Sequence, residues 1–304
     1  MKNNETHSLI IGPHSSNVIS EIILSAVDRK LVGNWEYIRC IDDYSCYVEN
    51  EEDASRFLIE LAKELRYYDL QLNYKKTTIE RLPVVFSSHW SRKLCDKRSN
   101  YGSILKYSDV RSYIDNALEL MKENQDNSAI LKYAIKVLSN QNMTENAKTL
   151  CRKEFLHLAL VYPYLIPLLE DYVIKPYNVK IEELEKFASI AYKNGFRDGN
   201  HEEAYFGLYF AWKYGFTIAN IETEEILKTD NCILKLLGML YCKENTNEYK
   251  KYKKHARYLL NKTSEMDRNW VFIYETLPAN DFGDEWKCLK NNKISFIKDL
   301  RAEK

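Results

Sequence analysis

Two adjacent carboxylates, Asp42 and Asp43, are the side chains of this sequence best suited to chemistry. They separate two short β-like runs, at residues 36–41 and 45–48, and this pattern predicts a β-hairpin. Neighbouring carboxylates repel each other unless a cation shares their charge, and Mg²⁺ prefers oxygen ligands. A Mg²⁺ ion held there would bind phosphates and support in-line displacement. The alternative is a solvated turn, because Asp is common in turns for conformational reasons alone.

Two further segments lie upstream and downstream of this hairpin. Residues 10–24 are IIGPHSSNVISEIIL, residues 39–48 are RCIDDYSCYV, and residues 70–77 are LQLNYKKT. In this order and spacing, the three segments resemble the palm domain of reverse transcriptases. The first resembles the glycine-serine loop and helix that support the template and the incoming nucleotide, although Ile-Ile-Gly replaces the usual Pro-Gln-Gly. The second resembles the Tyr-x-Asp-Asp turn, with Cys40 in the Tyr position, and the third resembles the strand that closes the palm.

The resemblance implies an RNA-directed DNA polymerase that uses Mg²⁺, with dNTPs and nucleic acid as partners. It makes Asp42 and Asp43 catalytic metal ligands and gives Lys76 a role at the phosphates or the leaving pyrophosphate. It also implies that Gly12 and Ser16 contact nucleotide or template. Each residue has a structural alternative: Gly12 would form a helix-entry turn, Ser16 would cap the helix, and Lys76 would be a surface lysine.

The form of the upstream segment, followed by a long helical tail, most resembles bacterial abortive-infection and other phage-defence reverse transcriptases. In this family the first metal-binding carboxylate lies on a strand upstream of the glycine-serine loop, and residues 1–8 do not fit such a strand. We therefore expect the C-terminal portion of such an enzyme, inactive as an isolated fragment. A separate chain bearing the fingers, or a homo-oligomer, is the partner that a missing strand implies.

Helix-periodic segments dominate the rest of the sequence, and few residues are Gly (9) or Pro (6), which favours helices over a turn-rich β fold. Residues 70–79 and 84–86 are expected to add strands to the hairpin. We predict a predominantly α chain: a partial α+β palm over residues 1–100, then a HEAT-like or bundle-like α-helical domain over 101–304. The predicted helices are 17–31, 51–68, 110–123, 128–138, 144–169, 181–192, 204–214, 232–242 and 249–260.

Overall charge excludes one class of function. Lys+Arg and Asp+Glu both number 44, so the chain as a whole does not attract nucleic acid. Two basic clusters, at residues 92–98 and 250–257, could bind it locally, and the alternative for both is a solvated helix face. No apolar run approaches the roughly 18–20 residues of a membrane span, so we expect no membrane partner. Seven widely spaced cysteines without a C-x-x-C pair favour reduced thiols in the cytoplasm.

A function of a different class also fits the sequence. The chain could be a non-catalytic α-helical scaffold that binds protein or nucleic acid and retains a decayed palm. Mg²⁺-dependent binding of dNTPs would distinguish the enzyme from the scaffold, because only a working metal site needs both ligands together.

Overall fold

Fourteen α-helices and one two-stranded sheet are present in the computed structural model, which describes residues 14–83, 85, 87–219 and 221–298. The prediction of a predominantly α chain is therefore confirmed. The elements in chain order are α1 (His14–Leu31), β1 (Tyr37–Cys40), β2 (Asp43–Cys46), α2 (Glu51–Arg66), α3 (His89–Ser99), α4 (Tyr107–Glu123), α5 (Ser128–Ser139), α6 (Glu145–Val161), α7 (Ile166–Leu169), α8 (Ile181–Arg197), α9 (His201–Tyr214), α10 (Thr223–Lys228), α11 (Cys232–Tyr241), α12 (Thr246–Leu260), α13 (Thr263–Thr276) and α14 (Asp284–Asn291).

The chain divides into two compact units, Met1–Phe86 and Ser87–Lys304, and each has its own apolar core. In the first unit, α1 and α2 each bury a stripe of three residues spaced three or four apart, as an amphipathic helix requires. Asn50 starts α2, where its side chain accepts a hydrogen bond from the backbone N–H of Asp53 at 2.8 Å. The buried stripes are Leu24, Val27 and Leu31 on α1, and Phe57, Leu61 and Leu65 on α2.

The strand expected over residues 70–79 is not formed, and that prediction is wrong. The segment instead contains a turn, in which the backbone N–H groups of Lys76 and Thr77 both donate to the Asn73 carbonyl, at 2.8 and 3.1 Å. A strand needs a neighbour for its backbone donors and acceptors, and the sheet in the described part of the chain has only β1 and β2. The strand predicted at residues 84–86 includes Val84 and Phe86, which lie outside the described residues.

The predicted domain boundary lies after residue 100, next to the basic cluster at residues 92–98, and this cluster is helical. It lies within α3, which belongs to Ser87–Lys304, so the two units separate before this helix. Leu94 is fully buried in the larger core, and the Trp90 ring meets Tyr133 of α5 edge-on at 5.7 Å. These contacts attach α3 to the helices that follow it.

In Ser87–Lys304, the helices predicted from periodicity are present, except that the one predicted over 144–169 ends at Val161 and is followed by the separate short helix α7. The helices α8 and α9 pack closely against each other. Their close approach depends on glycine. A Cβ atom added at Gly207 would lie 2.7 Å from the carbonyl oxygen of Ala188, and one at Gly195 would lie 2.4 Å from the backbone nitrogen of Ala204. Both distances are shorter than van der Waals contact, so these two positions exclude larger side chains.

Candidate metal-binding hairpin

The predicted β-hairpin is confirmed, with a tighter turn than expected. β1 pairs antiparallel with β2 so that Cys40 lies opposite Asp43, which leaves Ile41 and Asp42 as a two-residue turn. The sequence placed Ile41 in the first strand and both aspartates in the turn; Asp43 instead begins β2. Ile41 has a φ of 60°, a left-handed conformation that is uncommon for a β-branched residue and that suits the first turn position of a hairpin.

Successive side chains of β1 and β2 point to opposite faces of the hairpin, and this alternation determines which of them face solvent. Tyr37 and Tyr44 are partly buried, and their rings lie 5.6 Å apart, with Tyr37 also 6.0 Å from Phe57 of α2. The strand residues between the buried ones are exposed. Asp42 and Asp43 are both exposed, so the hairpin presents two neighbouring carboxylates to solvent at its tip.

Arg39 links this hairpin to α1 through three hydrogen bonds. Its guanidinium donates from Nε to Asp28 Oδ2 at 2.7 Å, and from Nη2 and Nη1 to the two carboxylate oxygens of Glu21 at 2.6 and 2.9 Å. Nη1 also donates to the Ile41 carbonyl at 2.7 Å, which links the guanidinium directly to the turn. The Tyr37 hydroxyl donates to the other Asp28 oxygen at 2.9 Å.

The ionisation of these groups follows from the same contacts. Hydrogen bonds from Arg39 lower the pKa of Glu21, while partial desolvation opposes them. Burial, with the hydrogen bond to Asp28, raises the pKa of Tyr37 to about 12. Glu21 and Asp28 are thus engaged by Arg39, which leaves Asp42 and Asp43 as the carboxylates of this part of the hairpin without an ion-pair partner among the described residues.

The remaining predicted site residues are not brought to the tip by any recorded contact. Gly12 lies outside the described residues. Ser16 is a half-buried residue of the first turn of α1, and Lys76 is exposed in the turn that replaces the expected strand. In the described part of the chain, no hydrogen bond or ion pair joins Ser16 or Lys76 to Asp42 or Asp43.

The donor chemistry fits part of a Mg²⁺ site. Asp42 and Asp43 offer exposed carboxylate oxygens, the ligand type that Mg²⁺ prefers. However, no group of three or more His, Cys, Asp or Glu side chains placed to hold a metal occurs among residues 14–83, 85, 87–219 and 221–298. The two aspartates would therefore need ligands from water, substrate or another segment to complete a coordination sphere.

The two basic clusters are partly occupied by intramolecular partners. On α12, Arg257 pairs with Asp281 at 2.8 Å and Lys251 pairs with Glu248 at 3.1 Å. Tyr252, an aromatic residue within the same cluster, is fully buried in the core and cannot stack on a base. On α3, Arg98 donates to the Gln141 side chain from Nε at 2.7 Å. Neither helix thus offers its complete cluster to a nucleic acid.

Sequence reasoning missed one partly buried and one fully buried group of charges in the helical unit. Lys213 forms an ion pair with Glu170, which also accepts a hydrogen bond from the Tyr209 hydroxyl at 2.7 Å. The second is Lys235, which is 3% exposed and donates to Asn269 Oδ1 at 3.0 Å. A signal for it existed in the sequence: it is the one charged residue in the apolar run CILKLLGMLYC, at residues 232–242.

Comparison with known proteins adds no relative. No protein-family model matches the sequence, and no curated protein shows significant similarity to it. The relationship to reverse transcriptases therefore rests on the three sequence segments and remains a prediction. Among the described residues, no helix combines the length and apolar character needed to cross a membrane.

Proposed function

We propose that the chain carries part of the palm of a defence-associated reverse transcriptase, in which the hairpin of β1 and β2 is the catalytic Asp-Asp turn. The reaction of the complete enzyme would be polymerisation of dNTPs by Mg²⁺-dependent phosphoryl transfer. One observation carries the proposal: a tight two-residue turn presents Asp42 and Asp43 to solvent, while Arg39 engages the neighbouring acids of α1. Metal-assisted phosphoryl transfer requires a hairpin whose paired carboxylates are exposed and whose strands are held in place.

In this proposal Asp42 is the principal ligand of Mg²⁺, and Asp43 contributes less direct ligation beside it. The ion would neutralise charge on the nucleotide phosphates when bound. Lys76 would assist at the phosphates, and Gly12 and Ser16 would contact nucleotide or template, as the resemblance implies. A two-metal site holds its ions roughly 3.5–4 Å apart and needs further carboxylates. We therefore propose that the isolated chain is inactive and that a separate fingers-bearing chain or a homo-oligomer completes the site.

The helical unit has a supporting role in this proposal. We propose that Ser87–Lys304 is a HEAT-like or bundle-like domain that lines the path of the product or mediates assembly, in the cytoplasm. Its large apolar core and paired helices support a rigid platform of this kind.

Ligand-induced stabilisation tests the metal site without requiring turnover. Purified protein is titrated with dNTP in the presence and absence of Mg²⁺, and its thermal unfolding is followed. A ligand that binds only the folded state raises the unfolding temperature, so we expect a shift that needs both ligands and is lost in Asp42→Asn. The matched control is Asp69→Asn, which changes an exposed aspartate in the same unit and should keep the shift.

A second assay addresses turnover. The isolated chain, incubated with Mg²⁺, dNTPs and primer-template, should show no incorporation. The absence of any Mg²⁺-dependent shift in the thermal titration would instead favour the alternative function, a non-catalytic α-helical scaffold. Robust incorporation of nucleotides by the isolated chain would contradict the proposal that another chain must supply carboxylates to the metal site.

A further inference from the structure

A cavity of about 410 Å³ in the helical unit contains an unusual pair of buried nitrogen atoms. It lies among α10, α11, α12 and α13, and its lining includes Lys235 of α11 and His255 of α12. The cavity is unrelated to the Asp-Asp hairpin, and the inference drawn from it does not depend on the proposed polymerase function.

Lys235 is buried without a counter-ion. Its side chain is 3% exposed, and its one recorded hydrogen bond, at 3.0 Å, goes to the neutral amide oxygen of Asn269. No carboxylate of the described residues lies within ion-pair distance of Nζ. An ammonium group has three N–H donors, so two remain available at the cavity. A buried charge is costly unless it is paired, so the Lys235 ammonium lacks the anionic partner that its burial calls for.

Asn269, which accepts the hydrogen bond from Lys235, interrupts the helical conformation of α13. It is 1% exposed and has φ −114° and ψ 16°, a non-helical conformation in the middle of α13. Its Nδ2 donates to the Glu265 carbonyl at 3.0 Å and contacts the Glu265 carboxylate at 3.4 Å. With its amide N–H groups directed to Glu265, the Asn269 oxygen is oriented toward Lys235. This orientation fixes the position of Nζ at the cavity.

His255 supplies a second polar atom without a partner. Its Nε2 is buried and has no hydrogen bond in the described structure, while its ring packs near Phe272 and Tyr258, at centroid distances of 6.3 and 6.1 Å. Burial lowers the pKa of Lys235. Burial, together with the charge of Lys235, also lowers the pKa of His255. Asp230 and Glu265 oppose the shift of Lys235, and Glu265 opposes that of His255, but burial outweighs these carboxylates in both cases.

The acidic side chains at the cavity do not fill this role. Glu224 pairs with Lys251 at 3.8 Å, and Glu265 is contacted by Asn269. Asp230 lines the cavity without forming an ion pair with Nζ. Lys228, Lys262 and Lys235 itself balance the formal charge of the three acids. The lining is thus neutral overall, with unmet hydrogen-bonding capacity concentrated at Lys235 and His255.

We propose that this cavity binds a small molecule through an oxyanion group, a phosphate or a carboxylate, which accepts hydrogen bonds from Lys235 Nζ and His255 Nε2–H. The volume lies within the range of ordinary small-molecule sites and exceeds that of a free phosphate ion, so there is room for the rest of a metabolite. Tyr258 and Leu259 provide apolar surface for that part.

Anion titration of the full chain tests the site. Inorganic phosphate, sulfate and acetate are each titrated at constant ionic strength while thermal unfolding is followed, and the saturable part of the shift gives an apparent Kd. Phosphate and sulfate also stabilise proteins non-specifically, so the control is Lys254→Met, an exposed lysine of α12 outside the cavity. We expect wild-type protein and this control to show the same saturable shift. The anion with the lowest apparent Kd identifies the ligand as phosphate-like or carboxylate-like.

Two cavity variants complete the test. Lys235→Met keeps the chain length and should weaken the apparent Kd about tenfold or more, because it removes a charge-assisted hydrogen bond. His255→Phe keeps an aromatic ring and should weaken it by roughly two- to tenfold. It also provides the test if Lys235→Met does not fold. No saturable shift with any of the three anions, or an unchanged Kd in the folded cavity variants, would overturn the proposal.

Discussion

Loss of the Arg39 side chain should release the hairpin from α1. In Arg39→Met, the hydrogen bonds to Asp28, Glu21 and the Ile41 carbonyl are removed together. The side chains of Arg39 and Asp28 are only 13% and 21% exposed, whereas Glu21 is 59% exposed and its part of the network is screened by water. A hydrogen bond to a charged group contributes about 1.5–3 kcal/mol, and we take the lower end, about 1.5–2 kcal/mol, because Asp28 can be rehydrated in the variant.

Hydrogen–deuterium exchange measures the release of the hairpin in Arg39→Met directly, at the backbone amides of the hairpin itself. A change of about 1.4 kcal/mol corresponds to a factor of ten, so amide exchange in the hairpin peptide, residues 37–46, should accelerate roughly tenfold or more. The matched control is Arg56→Met, because that arginine is 66% exposed and its ion-pair partner, Asp53, lies one turn away on the same helix, α2. Unchanged exchange at residues 37–46 in Arg39→Met would show that Arg39 does not hold the hairpin, and the reasoning would fail.

Three further predictions concern the helical unit. Leu94→Ala should destabilise it by about 2–5 kcal/mol in urea unfolding, whereas Lys97→Ala on the same helix should change stability by less than about 0.5 kcal/mol; equal effects would contradict the packing of α3. Gly207→Ala should cost about 1–3 kcal/mol because its Cβ would collide with α8, and Gly102→Ala, which meets open space, should be tolerated. Burial raises the pKa of Glu170, but hydrogen bonds from Lys213 and Tyr209 outweigh it, so the net pKa is lowered. The stability from Glu170 is therefore present at neutral pH and lost as pH falls through the lowered pKa. Below pH 4.5, Glu170→Gln should lose less unfolding free energy than the wild-type protein does. Parallel pH profiles of the two proteins would refute this.

Local sequence signals predicted the elements that depend on local physics. The stripes Leu24, Val27, Leu31 and Phe57, Leu61, Leu65 follow helical spacing, and both helices are present. The hairpin was predicted from two β-like runs around turn-tolerant residues. The exact residues of its turn were not predicted, because the conformational preferences of isoleucine do not indicate that Ile41 adopts a positive φ.

Features that depend on tertiary partners could not be predicted. Residues 70–79 alternate like a strand, but no strand of the described residues pairs with them, and their backbone hydrogen bonds form a local turn. α3 has few apolar residues, so its periodicity is weak, and it becomes part of the core through Leu94 and Trp90. The bonds of Arg39 to α1 and the position of Lys235 at a cavity depend on which helices meet, and a single sequence does not contain that information.

The most direct test of the central claim asks whether the tip of the hairpin binds a divalent cation together with a nucleotide. Mn²⁺ replaces Mg²⁺ in ¹⁵N-labelled protein, and the paramagnetic broadening of backbone amide signals is measured with and without dNTP. The proposed function predicts broadening centred on Asp42 and Asp43, stronger with dNTP and abolished in Asp42→Asn. Sharp signals at the hairpin under all conditions, or broadening centred elsewhere, would contradict it.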